Sequence, residues 1–441
     1  MYKKRQKEIV LTLTDHLKSD WLKFRYRTLD KYFTRERILT LDRLIVLVIR
    51  GLRMPIQNAI NKFFRQLGLI DLLPTASAYS QARDKFKGEL FLELNQTILR
   101  IFYRADEDYE KIVSLWKGRR LLGIDCSMIN LPDTDELRRK YSLSKNGGEV
   151  QRVQAQCSLV YDLLNDITIN ATLGKQKAEK EYIFDNHDEY INEASDIAVL
   201  DMNYADYSVM AYFISKNKYF VIRDRLTHTF RQVWEFARDP ERKDEIITLE
   251  VTGKQRQRVR KNRLPRQIRL RLIKVRLYDG RDEILLTNLF DKSITPEDFK
   301  EVYQKRWNQE TYFDRLKNIL SIEKFSGFSD QIIKQDFYGT VFLSSLESVM
   351  IKDADVELRE RSKDLKYEEK VNRSVSLSTM IDYTVDLFLN EKKTIDEKFE
   401  ELTVFLLKNP VTVRPHRKYE RKVRSSYLKL RYYKYKKKNI S

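Results

Sequence analysis

From Arg119 onward the hydrophobic period of the chain changes, and that change limits the folds open to it. RRLLGIDCSMINLP is an apolar run of strand length, and VQAQCSLVYDLLNDITINATLG reads as two more strands around a turn at Asn165 and Asp166. A helix-like stretch, KAEKEYIFDNHDEYINEA, comes next. IAVLD (197–201) and YFVIRDR follow as buried strands separated by a helix over roughly 206–216. Three strands in succession, then helix, strand, helix, strand, predict an α/β fold with a mixed sheet and helices on its faces.

Residues 226–292 read differently. EIITLEV, QIRLRLIKVRLY and EILLTNLF alternate as strands do, the last two joined at Asp279-Gly280, so a β-rich insertion into the mixed sheet is expected. Arg269, Arg271, Lys274 and Arg276 lie on these strands. The parity of the apolar positions switches between Leu272 and Ile273, which predicts a bulge. Residues 1–115 carry apolar residues at three and four spacing and predict an all-α region. Within it Pro74 and TASAYSQARDKF suggest a capped helix, with Ser77, Ser80, Gln81, Arg83 and Lys85 available to touch phosphates. Helices return from Ser293 to about Lys408. The expected division is thus 1–115 helical, 116–225 and 293–350 the two parts of the core, 226–292 the insertion, 351–408 helical, and 409–441 a basic tail.

Lys and Arg number 84 against 65 Asp and Glu, a net charge of +19, and such a field attracts polyanions. Nucleic acid is the first candidate partner, and a basic soluble or ribosome-associated protein is the plain alternative. The segment 414–441 sharpens the first reading, with twelve basic residues, one acid and five tyrosines; a solubilising tail has the same composition. Two cysteines, Cys126 and Cys157, and four histidines, His16, His187, His228 and His416, supply neither a disulfide framework nor a zinc or paired-histidine motif. No run of about 20 apolar residues and no secretory leader is legible, so a soluble cytoplasmic protein without a membrane partner is expected.

Three stretches can carry chemistry. In EVYQKRWNQETYFDRLKNILSIEKF, read as one helix, Tyr303, Arg306, Glu310 and Lys317 fall on one stripe beside an apolar stripe of Val302, Phe313, Leu316 and Leu320. A carboxylate flanked by two cations and a phenol can ligate a metal while its neighbours hold phosphate oxygens; the same spacing also describes an exposed helix with an i, i+4 ion pair. Trp307 is expected to pack beneath this helix. Asp125 sits inside LLGIDCSMI, where an ionised carboxylate needs a compensating cation. Asp201 ends IAVLD, and strand C-termini are where open sheets present functional groups, although an aspartate there can equally cap a turn. Asp133, Asp135, Asp196, Asp206 and Asp224 rank below these two, being placed in loops or at element boundaries.

On these residues the chain resembles the DDE transposases of bacterial insertion sequences, in particular the insertion-sequence-four family with its signature Y-x2-R-x3-E-x6-K. Tyr303, Arg306, Glu310 and Lys317 reproduce that spacing. Asp125-Cys126-Ser127 is similar to the family's first Asp-Gly-Ser/Thr, and Asp201-Met202-Asn203-Tyr204 to its second Asp-x-Gly-Tyr, with Arg223 on the next strand. Cys126 and Asn203 stand where the family has glycines. The resemblance spans roughly residues 75–350. It implies a ribonuclease H-like core in which Asp125, Asp201 and Glu310 are catalytic and bind two Mg2+ or Mn2+ ions, while Tyr303, Arg306 and Lys317 bind DNA. It further implies cut-and-paste transposition through a hairpin end, with terminal inverted repeats and target DNA as partners and a homodimer in the DNA complex. A DNA-binding regulator that no longer cuts, or a nuclease that does not join ends, would share the same residues.

Overall fold

The structure is a computed structural model. It describes residues 2–414 apart from 36, 51–53, 142–152, 194, 227–229, 254 and 278–279. Asp279, His228, His416 and residues 415–441 of the basic tail therefore lie outside the described residues.

Eight strands form one sheet: β1 (Arg120–Asn130), β2 (Gln154–Asp162), β3 (Ile167–Gly174), β4 (Asp196–Leu200), β5 (Tyr219–Arg223), β6 (Asp244–Glu250), β7 (Gln267–Arg276) and β8 (Asp282–Thr287). Their order is β3-β2-β1-β4-β5-β8-β7-β6. β1, β2 and β3 pair antiparallel, and β1, β4 and β5 pair parallel. The order 3-2-1-4-5 with this mixture of directions is that of a ribonuclease H-like core, as expected. The insertion strands build no sheet of their own: β8 pairs antiparallel with β5, and β7 and β6 continue outward from it.

Burial explains why these segments are strands. All of β4 and all but the first residue of β2 are buried, as in strands covered on both faces. The cover on one side is the Asp330–Met350 helix, which packs on β3 and on the Leu90–Phe102 helix. It is buried nearly all round, from Ile333 to Met350 with one break. The Tyr2–Lys18 helix packs on the Leu90–Phe102 and Arg373–Phe388 helices, and Gln6 Nε2 donates to the Val349 carbonyl at 2.9 Å, so it also meets the end of the long buried helix. Among the described residues no helix is long and apolar enough to cross a membrane.

Two readings of the sequence are corrected here. β7 keeps continuous register with β6 and β8 through Leu272 and Ile273, so it carries no bulge. The switch in parity arises because Leu270 to Ile273 are buried on both faces, Arg271 included. Its guanidinium binds Asp244 through two bonds of 2.8 and 2.7 Å and donates to the carbonyls of Asp291 (2.6 Å) and Ile294 (2.8 Å). The second correction is Arg83, which does not face solvent. At 2% exposure it donates to Gln335 (2.8 Å), Asp336 (2.9 Å) and Ser326, tying the Ala76–Arg83 helix to the start of the long buried helix.

A buried pair of this kind is costly to break on one side only, because the partner charge is left uncompensated. Arg83→Met is therefore expected to destabilise the chain by about 3–5 kcal/mol, read as a lower midpoint in denaturant unfolding. A loss within about 0.5 kcal/mol, the usual range for surface substitutions, would return Arg83 to the surface.

Candidate active site

The central strand β1 carries the first acid, and its neighbours fix what lies beside it. β1 and β4 run parallel with Ile124 opposite Leu200, so Asp125 and Asp201 come one step later on adjacent strands. Asp201 closes β4: its Oδ1 accepts the Asn203 backbone N–H at 2.7 Å and caps the short turn Met202–Tyr204. Asp125 Oδ1 accepts the N–H of Cys126 at 2.7 Å. Burial, first, and the nearby Asp201 push the Asp125 carboxyl up to about 7, with Glu179 adding to the rise. Glu179 is itself pushed up by burial and by Asp201. Two strand-borne acids and Glu179 from the Glu179–Tyr182 helix thus feel one another at this end of the sheet.

The Glu310 segment is not one helix. It runs as Pro296–Lys305, a junction at Arg306, then Trp307–Asp314, and then a turn of π-helix over Arg315–Ile319. The stripe expected of an unbroken helix is therefore displaced, and packing rather than period places its members. A Cβ at Gly123 would collide with Gln309 Oε1 and come within 2.8 Å of Leu163 Cδ2, so the Gln309 side chain of the Trp307–Asp314 helix fills the space this glycine leaves on β1. Asn308 Nδ2 donates to the Leu163 carbonyl at 2.8 Å, and Tyr312 stacks on Tyr161 at 4.2 Å while its hydroxyl accepts from Thr168 at 2.7 Å. Past the π turn, Lys317 Nζ donates to Ser127 Oγ at 2.6 Å. Gly123, Asp125 and Ser127 alternate onto one face of β1. Gln309 meets the first and Lys317 the last, so the segment bearing Glu310 covers the face that carries Asp125.

Glu310 itself accepts from Arg306 Nη2 at 2.6 Å. Arg306 is buried, lies over the Tyr303 and Trp307 rings at 5.6 and 5.7 Å, and also lowers the Asp125 carboxyl. It stands as a cation shared between two acids. Tyr303 is 5% exposed, with a hydroxyl that has no partner and that burial pushes up to about 12. Arg223 pairs with Glu283 at 2.7 Å and lies 5.9 Å from the Tyr303 ring. Trp307 is 53% exposed, so it does not pack beneath the helix as expected; it faces outward beside Arg306.

Three of the lower-ranked acids have structural partners. Asp196 is buried on Arg120 (2.7 and 2.6 Å), Asp206 accepts from Lys180 (2.7 Å), and Asp133 binds Arg138 (2.6 Å). Cys126 and Cys157 both have thiols pushed up by burial, to about 12 for Cys126, as packing residues would. His187 is buried between Ser158 (2.7 Å) and Asn170 (3.2 Å). Sequence reasoning missed Gln309, Gly123 and Glu179. Of these only Gly123, a glycine inside a strand, carried a signal of close approach.

Among the described residues, no group of three or more His, Cys, Asp or Glu is gathered tightly enough to hold a metal ion. The donor chemistry nevertheless suits one. Asp125 and Asp201 are hard oxygen donors on adjacent strand ends, and the neutral form that burial favours for Asp125 is what a divalent cation would reverse.

That imbalance has a pH signature. Between the ordinary 3.8 and about 7 the folded chain binds more protons at Asp125 than the unfolded chain, so stability falls as pH rises through this window. In a chelating buffer, Asp125→Asn is expected to gain stability over wild type and to gain more at pH 8 than at pH 5, the difference growing at about 1.4 kcal/mol per pH unit and levelling off above about pH 7. Denaturant titrations at the two pH values check it, and an equal difference at both would contradict the geometry.

The model of the family described as transposase DDE domain matches residues 116–346, just over half of the chain. No curated protein matches it. Among solved structures, a cryo-EM structure of a piggyBac transposase synaptic complex with hairpin DNA is similar over 90% of this chain and 85% of that one, at 11% identity and a TM-score of 0.43.

Proposed function

The chain belongs to the transposase DDE domain family, and from that premise we propose that it is a cut-and-paste transposase of a bacterial insertion sequence. Within the family we place it with the insertion-sequence-four group on Tyr303, Arg306, Glu310 and Lys317. The observation that carries the reading is the pairing of β1 with β4, which sets Asp125 beside Asp201 on the face of β1 covered by the Glu310 segment.

In this reading Asp125, Asp201 and Glu310 are the catalytic carboxylates and would hold two Mg2+ or Mn2+ ions. Bound there, such ions supply activation of the attacking oxygen and charge stabilisation of the leaving oxygen at phosphorus. The chain's own groups do the rest. Lys317, held against Ser127 two residues beyond Asp125, puts an ammonium within reach of a phosphate at the site. Arg306 offers a guanidinium on the other side, and Trp307, exposed next to it, offers a ring face to a displaced base. Tyr303 brings a hydroxyl with no protein partner. The helical region 1–115 would bind the terminal inverted repeats, the core 116–225 with 293–350 would cut, and the insertion 226–292 would shape a hairpin end. The helices of 351–408 and the tail 409–441 would support assembly on DNA as a homodimer in the bacterial cytoplasm.

The test is cleavage of a duplex ending in the element's own inverted repeat, with and without Mg2+. Glu310→Gln is expected to keep DNA affinity and to lose cleavage by roughly a thousandfold, the several kcal/mol that a metal contributes to transition-state charge. Lys317→Ala is expected to weaken end-complex assembly or hairpin processing. Cleavage at the wild-type rate by Glu310→Gln would remove the carboxylate from the mechanism. Binding without nicks by the unaltered chain would point to a regulator, and nicks without joined products to a nuclease.

A further inference from the structure

The connection from β6 to β7 carries a run of charge of one sign. Six of the twelve residues from Gln255 to Arg266 are Arg or Lys and none is Asp or Glu, although 65 acids are spread over the 441 residues of the chain. Arg83, Arg120 and Arg271 are each paired with an acid. In this stretch, among the described residues, only Arg258 has such a partner, Glu181 at 3.5 Å. Arg256 Nε turns back to the Val251 carbonyl at 3.3 Å. Arg260, Lys261, Arg263 and Arg266 are exposed and have no ion-pair partner among the described residues. Their charge is available to something outside the chain.

The segment is anchored. The Gln255–Lys261 helix packs on the Tyr207–Ser215 helix, with Val259 buried and the Tyr207 hydroxyl donating to the Pro265 carbonyl at 3.2 Å. Glu181, the partner of Arg258, belongs to the Glu179–Tyr182 helix, a single turn that packs on the Met202–Tyr204 turn following Asp201. The cations therefore ride on the elements that leave the Asp201 end of β4. Beside them opens a groove of about 710 Å3 lined by Phe184, Tyr212, Lys216, Arg258, Lys261 and Leu264, where Lys216 adds a cation. The two acids on its wall are already paired, Glu181 with Arg258 and Asp185 with Lys177 at 2.7 Å. The helix ends with the Leu264 N–H on the Val259 carbonyl at 2.9 Å and with Arg263 in the left-handed region at φ 52°. Glycine is the usual residue at such a position, because it has no Cβ to clash. The chain keeps a cation there instead.

We propose that residues 255–266 form a docking surface for the phosphate backbone of duplex DNA, one that holds the duplex without reading its sequence. The proposal rests on the DNA reading given above and assigns it a surface apart from the acidic strand end and from the helical region 1–115. Exposed cations with no acids among them suit a polyanion, because each phosphate they neutralise releases condensed counterions. Five of the six are arginine, whose planar fork binds phosphate through two parallel hydrogen bonds. The helix has only seven residues and is seated on another helix, so it offers side chains to the rim of a duplex and not to its base edges. Contacts of that kind fix position, whereas base edges carry sequence.

The experiment is binding of the full chain, in chelator, to two duplexes of equal length, one bearing the element's terminal inverted repeat and one of unrelated sequence. Fluorescence anisotropy over a series of salt concentrations gives affinity and its salt slope. Wild type is compared with the double variant Arg260→Gln/Lys261→Gln, with Arg263→Gly, and with Arg231→Gln, a cation of the same insertion that pairs with Glu235 at 2.7 Å. The double variant is expected to bind both duplexes roughly tenfold or more weakly and to flatten the slope of log affinity against log salt by about two, close to one for each lost phosphate contact. Arg263→Gly should weaken binding to both duplexes and flatten the slope by about one. It should melt close to wild type, because the ease of glycine in the left-handed region offsets its greater freedom in the unfolded chain. Arg231→Gln should change neither affinity nor slope. Wild-type affinity and slope in the double variant and in Arg263→Gly, with both duplexes bound, would overturn the proposal and leave the DNA reading standing. Weaker binding confined to the terminal repeat would make the segment a reader of sequence and overturn it too, and an equal loss in Arg231→Gln would do the same by reducing the effect to net charge. A melting temperature far below wild type in both segment variants would make the segment structural, again overturning it. Failure of the unaltered chain to bind either duplex would bring down the proposal and the DNA reading together.

Discussion

The parallel pairing of β1 with β4 is the constraint on which the remainder of the molecule depends. At its beginning Arg120 lies opposite Asp196, and their side chains close on each other in a two-pronged ion pair. At its end Asp125 and Asp201 emerge side by side with no such closure. One register therefore neutralises charge where the strands start and accumulates it where they stop. The buried run between them, Leu121 to Ile124 against Ile197 to Leu200, is what holds the two acids together against their repulsion. A slip by one residue would turn every one of these side chains to the opposite face, so the hydrophobic core and the acidic end are specified by the same alternation.

The third stretch reaches that end through packing rather than through helical period. Gly123 admits the Trp307–Asp314 helix, Tyr161 and Thr168 grip Tyr312, and a π turn then carries the chain to Ser127. A π turn accommodates an extra residue within a helix and recurs at functional sites because it re-aims side chains. Here it separates Glu310 from Lys317. The carboxylate pairs with Arg306, whose charge is felt at Asp125, and the ammonium meets Ser127 two residues further along β1. The spacing of Tyr303, Arg306, Glu310 and Lys317 is thus a property of this broken path, not of a regular helix.

Much of this was legible in the residues. The strands were, because buried stretches such as LVY in β2 and IAVL in β4 read as short apolar runs. Asp125 and Asp201 were visible as acids placed where apolar neighbours make charge expensive. Arg83 was misread for the opposite reason. A lone cation in an amphipathic helix looks like surface, and the acid that pairs with it, Asp336, lies far along the chain. Glu179 was missed because KAEKEY has the composition of a solvated helix; only the docking of that turn on Asn203 distinguishes it. Trp307 was expected inside because tryptophan is mostly buried on average, yet a junction at Arg306 rotates it outward.

The charge distribution gives these local facts a common sense. The chain as a whole carries +19, yet its central strand end concentrates acids. A polyanion is drawn in over long range by the first and repelled at close range by the second. The conflict is settled locally by groups that already stand among the acids. Arg306 pairs with Glu310 and lowers the Asp125 carboxyl, and Lys317 donates to Ser127. What these cations leave uncompensated, chiefly between Asp125, Asp201 and Glu179, is a deficit that protonation of Asp125 or a hard cation can meet. Near neutral pH the two compete for the same oxygens, so a cation that binds there displaces a proton, and its apparent affinity must rise with pH across the range in which Asp125 titrates.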